Sequence, residues 1–361
     1  MEKVHFTTWR RVHVSLEVAM TGIKYCVGVD IASNTFTAAV GQMPWKVVIK
    51  PETFENSEDD YARLLAWLEE HRLYASETIV CMEATGVYCE GLAYFLYAKG
   101  YRVAVEPPLE VKRAFKPYGR KNDAVDSVQI SEYACRHVDQ LSWWKPRSEI
   151  LEQVKALLAV REQFVVQKVA HHNARQALQR KVVRTPFGEQ AYEQLIEQLK
   201  NQIEAIDVEI RRLIESDPTF KEMLLLLLSV PGVGLLLAAH FILLAQYSLN
   251  YKVLASFLGI APNEHSSGTS VHRPATSRHF GPPAVRKLLY LAACSVCAHR
   301  PQFRAYLIRK TKEGKPARLV LNNVENKLVR IMCAVLNSKT AFIPNYHPVQ
   351  PLALHLALTG S

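Results

Sequence analysis

The stretch Tyr25-Cys-Val-Gly-Val-Asp30 decides the fold of this chain. It is a short apolar run of the length of one buried strand, and it ends in a carboxylate. A second run of the same form, Thr78-Ile-Val-Cys-Met-Glu83, also ends in an acid. Carboxylates lose several kcal/mol when they leave water, so acids at the ends of buried strands indicate a site that holds a cation.

The residues around these two runs predict a mixed sheet. Short apolar runs bounded by turn residues predict strands, and apolar residues at helical spacing predict helices. The predicted strands cover residues 24–30, 36–41, 45–50, 78–83 and 101–106, and the predicted helices cover 59–70 and 89–98. Three strands in succession, followed by strands that alternate with helices, predict an α/β domain of ribonuclease H-like architecture over residues 23–147.

A pair of acids in the segment Lys121-Asn-Asp-Ala-Val-Asp126 completes the acidic set. Asp123 and Asp126 stand three residues apart, which places both on one face of a helix. Mg²⁺ prefers oxygen ligands and often works in pairs on phosphodiesters. We therefore predict a metal-dependent nuclease site that holds one or two Mg²⁺ ions through Asp30, Glu83, Asp123 and Asp126.

The charge of the chain indicates a polyanionic partner. Its 44 Lys and Arg exceed its 34 Asp and Glu, a formal net charge of +10, and nucleic acid is the commonest partner of so basic a protein. A basic stretch directly before the acidic pair is predicted to bind phosphates, and a solvated basic turn is the alternative. Its cations are Lys112, Arg113, Lys116, Arg120 and Lys121.

Length and cysteine usage bound the organisation of the chain. A chain of 361 residues, 49% of them apolar, favours two domains with a connector. Seven dispersed cysteines indicate reduced thiols in a prokaryotic cytoplasm. Cys294 and Cys297, with His299 nearby, resemble half of a zinc site, and a thiol-lined helix core is the preferred interpretation. Residues 1–22 are interpreted as an N-terminal extension, with Met20 as an alternative start.

Two features of the middle of the chain predict helices. Residues 148–216 carry amphipathic stretches that predict a helical hairpin or coiled-coil arm, either a spacer or a dimerisation element. Residues 223–250 contain no Asp, Glu, Lys or Arg and are long enough to cross a membrane. Because Pro231-Gly-Val-Gly234 interrupts this run, two short buried helices joined by a turn are preferred, and no membrane partner is expected.

Residues 217–345 are predicted to form a mostly α-helical domain, followed by a tail at 346–361. The turn at 229–234 resembles the hairpin of a helix-hairpin-helix element, in which glycines, here Gly232 and Gly234, let backbone N–H groups approach a phosphate. An ordinary turn between helices is the alternative.

A hydroxyl-rich stretch at 259–281 lies between predicted helices. It could offer a nucleophile beside the phosphate-binding charges Arg273 and Arg278. From composition alone the same stretch is interpreted as an exposed linker. Amphipathic or apolar helices are predicted after it, at 284–298 and 317–337.

Taken together, these residues resemble the DEDD insertion-sequence transposases, also called Piv-like recombinases. The resemblance covers almost the whole chain beyond residue 22, and its strength lies in five pieces that occur in the family's order. The pieces are Val-Gly-Val-Asp30, Met-Glu83-Ala-Thr-Gly-Val-Tyr, Lys-Asn-Asp123-Ala-Val-Asp126, Pro-Gly-Val-Gly and Ser-Ser267-Gly. After the last piece the sequence departs from the family's Gly- and Lys-rich continuation and runs Thr269-Ser-Val-His-Arg.

The resemblance implies a RuvC-like domain with the four acids as its metal ligands, and a helical domain with Ser267, next to Ser266, as nucleophile. It implies strand cleavage and rejoining through a serine–DNA intermediate, for which His265 and His272 are candidate bases. It also implies a dimer or tetramer, in which the serine and the acids come from different protomers. Some members use a structured noncoding RNA as a guide, which the basic charge also permits.

Three other functions are compatible with parts of the sequence. A RuvC-like junction endonuclease would hydrolyse DNA with a metal-activated water and would not use Ser267. A nucleic-acid-binding scaffold would have purely structural acids, although four converging carboxylates repel without a cation. An actin-like phosphotransferase would use the stretch that begins at Gly28, but no second Gly-rich phosphate loop is evident.

Overall fold

The computed structural model describes residues 22–84, 86–115, 122–267, 271–277 and 281–344, with the backbone alone over 262–277. The predicted tail, and all of the predicted N-terminal extension except Gly22, lie outside these residues. The chain divides into two compact units with the boundary between Ser148 and Glu149. Each unit has its own hydrophobic core.

A five-stranded mixed sheet forms the centre of the first unit. β2 pairs antiparallel with β1 and β3, whereas β4 pairs parallel with β1 and β5, in the order β3-β2-β1-β4-β5. This arrangement confirms the predicted ribonuclease H-like architecture. The strands are β1 (Tyr25–Ile31), β2 (Thr35–Gln42), β3 (Lys46–Glu55), β4 (Thr78–Glu83) and β5 (Arg102–Glu106).

The third strand is longer than predicted. The sequence predicted that it ends at Lys50, directly before Pro51. In the structure it continues to Glu55. β3 is an edge strand with a neighbour on one side only, and a proline is tolerated there when its missing N–H would face solvent.

Helices cover both faces of this sheet. Apolar side chains of α1 (Glu58–Glu70) and α2 (Glu90–Ala98) join one core with alternate residues of the strands. Those of α3 (Pro108–Ala114) and α4 (Asp123–Arg136) join a second core with the strand residues that point the other way. The sheet is therefore buried on both sides, which is why its central strands are continuous apolar runs.

Helix α4 lies directly on strand β1 because Gly28 has no side chain. A Cβ atom at this position would lie 2.1 Å from the backbone nitrogen of Ser131 and 2.3 Å from the carbonyl oxygen of Ser127. The hydroxyl of the same Ser131 donates a hydrogen bond of 2.6 Å to the carbonyl oxygen of Cys26. The helix therefore runs antiparallel to β1, and its first turn lies towards Asp30.

The second unit begins with a long helical hairpin, α5 (Glu149–Gln179) and α6 (Pro186–Glu215). It is the predicted pair of amphipathic helices and lies within the predicted bounds of 148–216. Arg161 clamps the two helices together, because its Nε and Nη2 atoms donate hydrogen bonds of 2.5 and 3.0 Å to the Asp207 carboxylate. The base of the hairpin joins the core of the unit through buried Leu151, Val154 and Leu158 on α5.

The remainder of the second unit is mostly helical, as predicted. Its helices pack around one core that includes the fully buried Phe241, Leu289 and Leu328. Within the described residues, no helix is both long and apolar enough to span a membrane. The helices are α7 (Pro218–Leu228), α8 (Leu235–Ala245), α9 (Tyr251–Phe257), α10 (Pro283–His299), α11 (Pro301–Lys312) and α12 (Ala317–Ser338).

The interpretation of residues 259–281 as a linker between helices is wrong for most of that stretch. The backbone forms an antiparallel pair of strands, β6 (Pro262–Ser267) and β7 (Val271–Ser277). Its residues lack the apolar alternation that marks a half-buried strand, so composition alone indicated an exposed linker. A two-stranded ribbon that projects from a helical core does not require that alternation.

Candidate active site

Asp30 and Glu83 lie at the same edge of the sheet. Strands β1 and β4 are parallel neighbours, and Val29 is paired with Met82. The next residue on each strand is the acid, so the two carboxylates leave adjacent strands at the same level. Both lie on the face covered by α4, because side chains two residues apart on a strand point the same way and the Cys26 and Cys81 side chains belong to the core beneath α4.

Asp123 and Asp126 reach the same edge from the first turn of α4. Asn122 caps this helix, its Oδ1 accepting a hydrogen bond of 2.8 Å from the backbone nitrogen of Val125. The antiparallel course of α4 along β1 brings this turn to the end of the strand that carries Asp30. Asp123 is exposed and Asp126 is partly buried. The fold thus brings all four predicted acids to one edge of the first unit.

A further acid at this edge was not among the predicted ligands. Glu106 ends β5 and is paired in register with Glu83, yet only 2% of it is exposed. Its Oε1 accepts a hydrogen bond of 2.5 Å from the backbone nitrogen of Ser142. The sequence does hold a signal for it, because Val103-Ala-Val-Glu106 repeats the pattern of an apolar strand that ends in an acid.

The chemistry of these donors fits Mg²⁺, which prefers carboxylate oxygens. In the described residues, however, no three His, Cys, Asp or Glu side chains are grouped closely enough to hold a metal ion. The carboxylates therefore share an edge without forming a coordination sphere, and their role as ligands remains a prediction. The same finding applies to Cys294, Cys297 and His299, so the half zinc site has no support.

Protonated thiols lie beneath the acids. A hydrogen bond with Cys135, together with burial, raises the pKa of Cys26 well above its usual range. Burial, and then the nearby Glu106 and Glu83 carboxylates, raise the pKa of Cys81. Both thiols therefore stay neutral at physiological pH.

The predicted phosphate-binding stretch is partly helical. Lys112 and Arg113 lie in the last turn of α3, not in a loop, because Pro108 begins a helix at this point. The Arg113 guanidinium is 3.3 Å from the carboxylate of Glu110 on the same helix. The other three cations of the stretch, Lys116, Arg120 and Lys121, lie outside the described residues.

The glycine turn of the second unit is packed against α10. Gly232 adopts a φ of +80°, and a Cβ there would lie 2.7 Å from Cγ1 of Val296 and 3.0 Å from the carbonyl oxygen of Ala292. Gly234 has open space at the corresponding position and caps α8. Close packing thus accounts for Gly232, and contact of either glycine with nucleic acid remains a prediction.

Ser267 ends the first strand of the β6–β7 hairpin. In the register of the two strands Ser267 is paired with Val271, Ser266 with His272, and His265 with Arg273. The two predicted bases therefore belong to the same short ribbon as the predicted nucleophile. Arg278 lies outside the described residues, and for the serines and Arg273 only the backbone is described.

The start of this hairpin is fixed by two asparagines of α12, which sequence inspection did not single out. The buried carbonyl oxygen of Ile260 accepts hydrogen bonds of 2.9 Å from Asn322 Nδ2 and 2.8 Å from Asn326 Nδ2. At the other end, Gly281 lies against the backbone of Phe257 and Leu258, where a Cβ would be 2.6 Å from the nearest carbonyl oxygen. The helical core therefore holds both ends of the hairpin.

Family comparisons match both units of the chain. A family model described as Transposase, the DEDD transposase of IS110, matches residues 27–182. A second one, described as Transposase IS116/IS110/IS902 family, matches residues 224–307. The first match contains all four predicted metal ligands, and the second contains the serine hairpin.

Curated relatives match along nearly their whole length. The pilin gene-inverting protein of Moraxella bovis is 27% identical over 331 residues, which cover 90% of this chain and 99% of that protein. A probable family 20 transposase of Pseudomonas aeruginosa is 25% identical over 353 residues, with 88% and 98% covered. Among solved structures, RuvC of T. thermophilus in complex with a Holliday junction substrate covers 34% of this chain and 99% of its own, with 14% identity and a TM-score of 0.25.

Proposed function

Because the chain belongs to the IS116/IS110/IS902 transposase family, we propose that it is the recombinase of an insertion sequence and cuts and rejoins DNA strands at the ends of that element. The observation that carries this proposal is the common edge of the first sheet. There, two parallel strands carry Asp30 and Glu83 at their carboxyl ends, and the first turn of α4 adds Asp123 and Asp126.

These four carboxylates would hold Mg²⁺, as one ion or as a pair. When bound, the metal supplies a Lewis acid that polarises the scissile phosphate and offsets the charge on its oxygens. The carboxylates offer oxygen donors, which is the kind of ligand that Mg²⁺ prefers. The packing of α4 on β1 at Gly28 keeps the helix acids at the same end of the unit as the strand acids.

Ser267 is the proposed nucleophile. Its hydroxyl oxygen forms a bond to the scissile phosphorus while the bond between phosphorus and the leaving sugar oxygen breaks. The serine proton passes to a base, and the leaving oxygen takes up a proton. His265 and His272 are the ionisable residues nearest to Ser267 along the hairpin and are the candidate bases.

The covalent phosphoserine explains how the strand is rejoined. One phosphoester bond replaces another, so the energy of the original phosphodiester is kept in the protein–DNA bond. Attack on phosphorus by a sugar hydroxyl then releases Ser267 and forms the new DNA junction without a further energy source. A hydrolytic nuclease transfers the phosphate to water instead and cannot rejoin the strands.

We further propose a homo-oligomer, a dimer or tetramer, in which Ser267 and the acids come from different protomers, and a structured noncoding RNA that selects the DNA sites. The α5–α6 hairpin supports the oligomer, because Val166 and Val169 leave apolar surface exposed on a long helix. The net charge of +10 supports binding of both nucleic acids.

Covalent trapping tests the chemistry. Purified protein is incubated with Mg²⁺, labelled element-end DNA and the RNA that co-purifies with it, and the products are separated on a denaturing gel. We expect a labelled protein band that Ser267→Ala removes and that its matched neighbour variant, Ser266→Ala, retains. We expect Asp30→Asn to remove the band while the variant keeps its affinity for DNA.

The other outcomes identify the alternatives. Loss of the band in Ser266→Ala, and not in Ser267→Ala, would move the nucleophile by one residue. Cleavage without any protein band, unchanged by Ser267→Ala, would overturn the serine chemistry and indicate a RuvC-like nuclease that uses water. Cleavage and rejoining that survive Asp30→Asn would show that the acids are structural.

A further inference from the structure

The segment from Arg300 to Arg318 is the most unbalanced in charge of the described chain. It contains α11 and the turn to α12, and it holds seven cationic side chains and a single carboxylate, that of Glu313. Its net charge is therefore +6, where the whole chain carries +10. The cations are Arg300, Arg304, Arg309, Lys310, Lys312, Lys315 and Arg318.

One side of α11 anchors it to the helical core. Phe303 is 7% exposed and belongs to that core, and Tyr306 and Leu307 pack against it. Lys327 of α12 places its Nζ 5.3 Å from the centre of the Phe303 ring. The helix is thus held by one apolar side, and the opposite side faces solvent.

The cations occupy the solvent side. Arg304, Ile308 and Lys312 follow one another at intervals of four residues, which aligns them along one helix face. All three are exposed, including Ile308 at 47%.

Ion pairing does not neutralise this face. Glu313 serves both Lys310, at 2.6 Å, and Arg309, at 3.9 Å. Across the part of the chain that the structure describes, Arg300, Arg304 and Lys312 form no ion pair. Unpaired cations on one short helix repel each other, so the cluster reduces stability in the free protein.

The helical arm shows the opposite arrangement. On α6, the cations Lys200, Arg211 and Arg212 each pair with a glutamate three or four residues away. The exposed cations of this solvated helix are thus balanced locally. The difference indicates that the cations near α11 have a polyanionic partner.

We infer that the exposed face of α11 and the turn that follows it bind the phosphate backbone of duplex DNA. Arg304 and Lys312 are eight residues apart, which separates them by about 12 Å along the helix axis. The major groove of B-form DNA is about 12 Å wide, so a helix that lies across its mouth places these two cations near phosphates of both strands. The major groove of A-form RNA is deep and narrow, and the same spacing does not match its width, which favours DNA.

This inference rests on the proposed function, because it assigns a second contact with the same DNA substrate. The test compares two triple variants that each remove three positive charges. One is Arg304→Ala with Lys312→Ala and Lys315→Ala, on the α11 face. The matched control is Lys200→Ala with Arg211→Ala and Arg212→Ala, on α6. Affinity for a short duplex without element sequence is measured by fluorescence anisotropy between about 50 and 200 mM salt.

We expect the α11 variant to bind at least about tenfold more weakly at the upper salt concentration. The slope of log affinity against log salt should fall by up to about 2.7, since each lost phosphate contact removes about 0.9. The α6 variant should keep the slope of the wild type. Equal slopes for the two variants would overturn the inference. So would a loss confined to an A-form RNA duplex of the same length, which would make RNA the partner.

Covalent trapping keeps this inference separate from the proposed chemistry. If the wild type forms the Ser267 adduct and the α11 variant keeps the wild-type salt slope, the DNA-binding face is wrong and the recombinase chemistry stands. If no adduct forms while the α11 variant alone loses slope, the chemistry is wrong and the DNA-binding face stands. Thermal unfolding of both variants, monitored by circular dichroism, verifies that each is folded.

Discussion

The hydroxyl of Ser131 lies 2.6 Å from the carbonyl oxygen of Cys26 and donates a hydrogen bond to it across 105 residues of sequence. Ser131 is fully buried, and so is Cys26. This contact, and the absence of a side chain at Gly28, set the position of α4 along β1 and its distance from the strand. The proposed site depends on that position, because Asp123 and Asp126 reach the end of β1 only when the helix stays in place.

Ser131→Ala is expected to lower the free energy of unfolding by about 1 to 2 kcal/mol, since it removes one buried hydrogen bond. Gly28→Ala should cost more, because its Cβ would lie 2.1 Å from the Ser131 backbone and α4 would have to move. Urea denaturation of the full chain measures both. The matched control is Ser127→Ala, whose hydroxyl bonds within the helix, to the Ala124 carbonyl at 2.9 Å.

The control decides whether the contact between helix and sheet matters. If Ser127→Ala and Ser131→Ala lower the stability of the protein equally, the hydroxyls act only within the buried helix and do not fix its position on the sheet. We also expect Gly28→Ala to impair Mg²⁺-dependent cleavage at temperatures where the variant is folded. Full cleavage by a folded Gly28→Ala protein would show that the helix acids do not need this position.

Gly232 and Gly234 form a matched pair for a second prediction. An alanine at Gly232 would combine a φ of +80° with a contact of 2.7 Å to Val296, whereas an alanine at Gly234 meets open space at a φ of −103°. We expect Gly232→Ala to destabilise the second unit by about 2 kcal/mol or more and Gly234→Ala to change stability by less than about 1 kcal/mol. Thermal unfolding of both variants measures this difference.

The same pair separates packing from nucleic-acid binding. If the turn contacts a phosphate through its backbone, Gly234→Ala should weaken DNA binding without loss of stability, because the added methyl group stands where the phosphate would approach. Unchanged DNA affinity in Gly234→Ala would leave packing as the whole role of this turn.

Local sequence was sufficient for the sheet and for the positions of its acids. Buried strands appear as apolar runs, and Asp30 and Glu83 mark their ends, so the strands could be predicted without knowledge of their pairing. The same pattern marks Glu106 at the end of β5, but the burial of its side chain could not be predicted from it. Its burial depends on Ser142, which lies 36 residues away and donates to it only after the chain has folded.

The second unit was harder to predict for the same reason. The Asn322 and Asn326 side chains bond to Ile260 over 62 and 66 residues, and no periodicity or motif connects them. The β6–β7 hairpin lacks the apolar pattern of a half-buried strand, so its two strands had no local signal. Helix α12 was predictable because its apolar residues recur at helical spacing. Helix α8 was predictable because Pro231-Gly-Val-Gly234 divides the uncharged run at 223–250 into two short segments.

Glu325 provides a prediction that depends on pH. It is 7% exposed, and burial raises its pKa to about 7 against the opposing charges of Arg286 and Arg318. Because the folded pKa exceeds that of the unfolded chain, 4.5, the stabilising contribution of this group is complete below pH 4.5 and is lost as the pH rises through 7. Glu325→Gln should therefore stabilise the protein above pH 7, by up to about 3 kcal/mol, and change little below pH 4.5.

Glu313 is the control of opposite sign. The hydrogen bond from Lys310 lowers the pKa of Glu313, so its contribution is present above pH 4.5 and is lost as the pH falls. Glu313→Gln should thus reduce stability at neutral pH, where Glu325→Gln increases it. Denaturation midpoints from pH 4 to pH 8 compare the two variants. A pH-independent effect of Glu325→Gln would contradict the raised pKa.

The Asn326 side chain gives the last prediction, which concerns the serine hairpin. Asn326 and Asn322 both donate to the buried carbonyl oxygen of Ile260, two residues before β6 begins. Asn326→Leu should cost about 1 to 2 kcal/mol, and the double variant with Asn322→Leu should cost more than the sum, because the carbonyl then has no side-chain partner from α12. We expect the rate of Ser267 adduct formation at saturating DNA to fall more than the DNA affinity.

The matched control is Asn337→Leu on the same helix, which loses only an exposed hydrogen bond of 3.4 Å to the carbonyl oxygen of Leu249. Equal adduct rates in Asn326→Leu and Asn337→Leu would show that the asparagine pair stabilises α12 without positioning the hairpin.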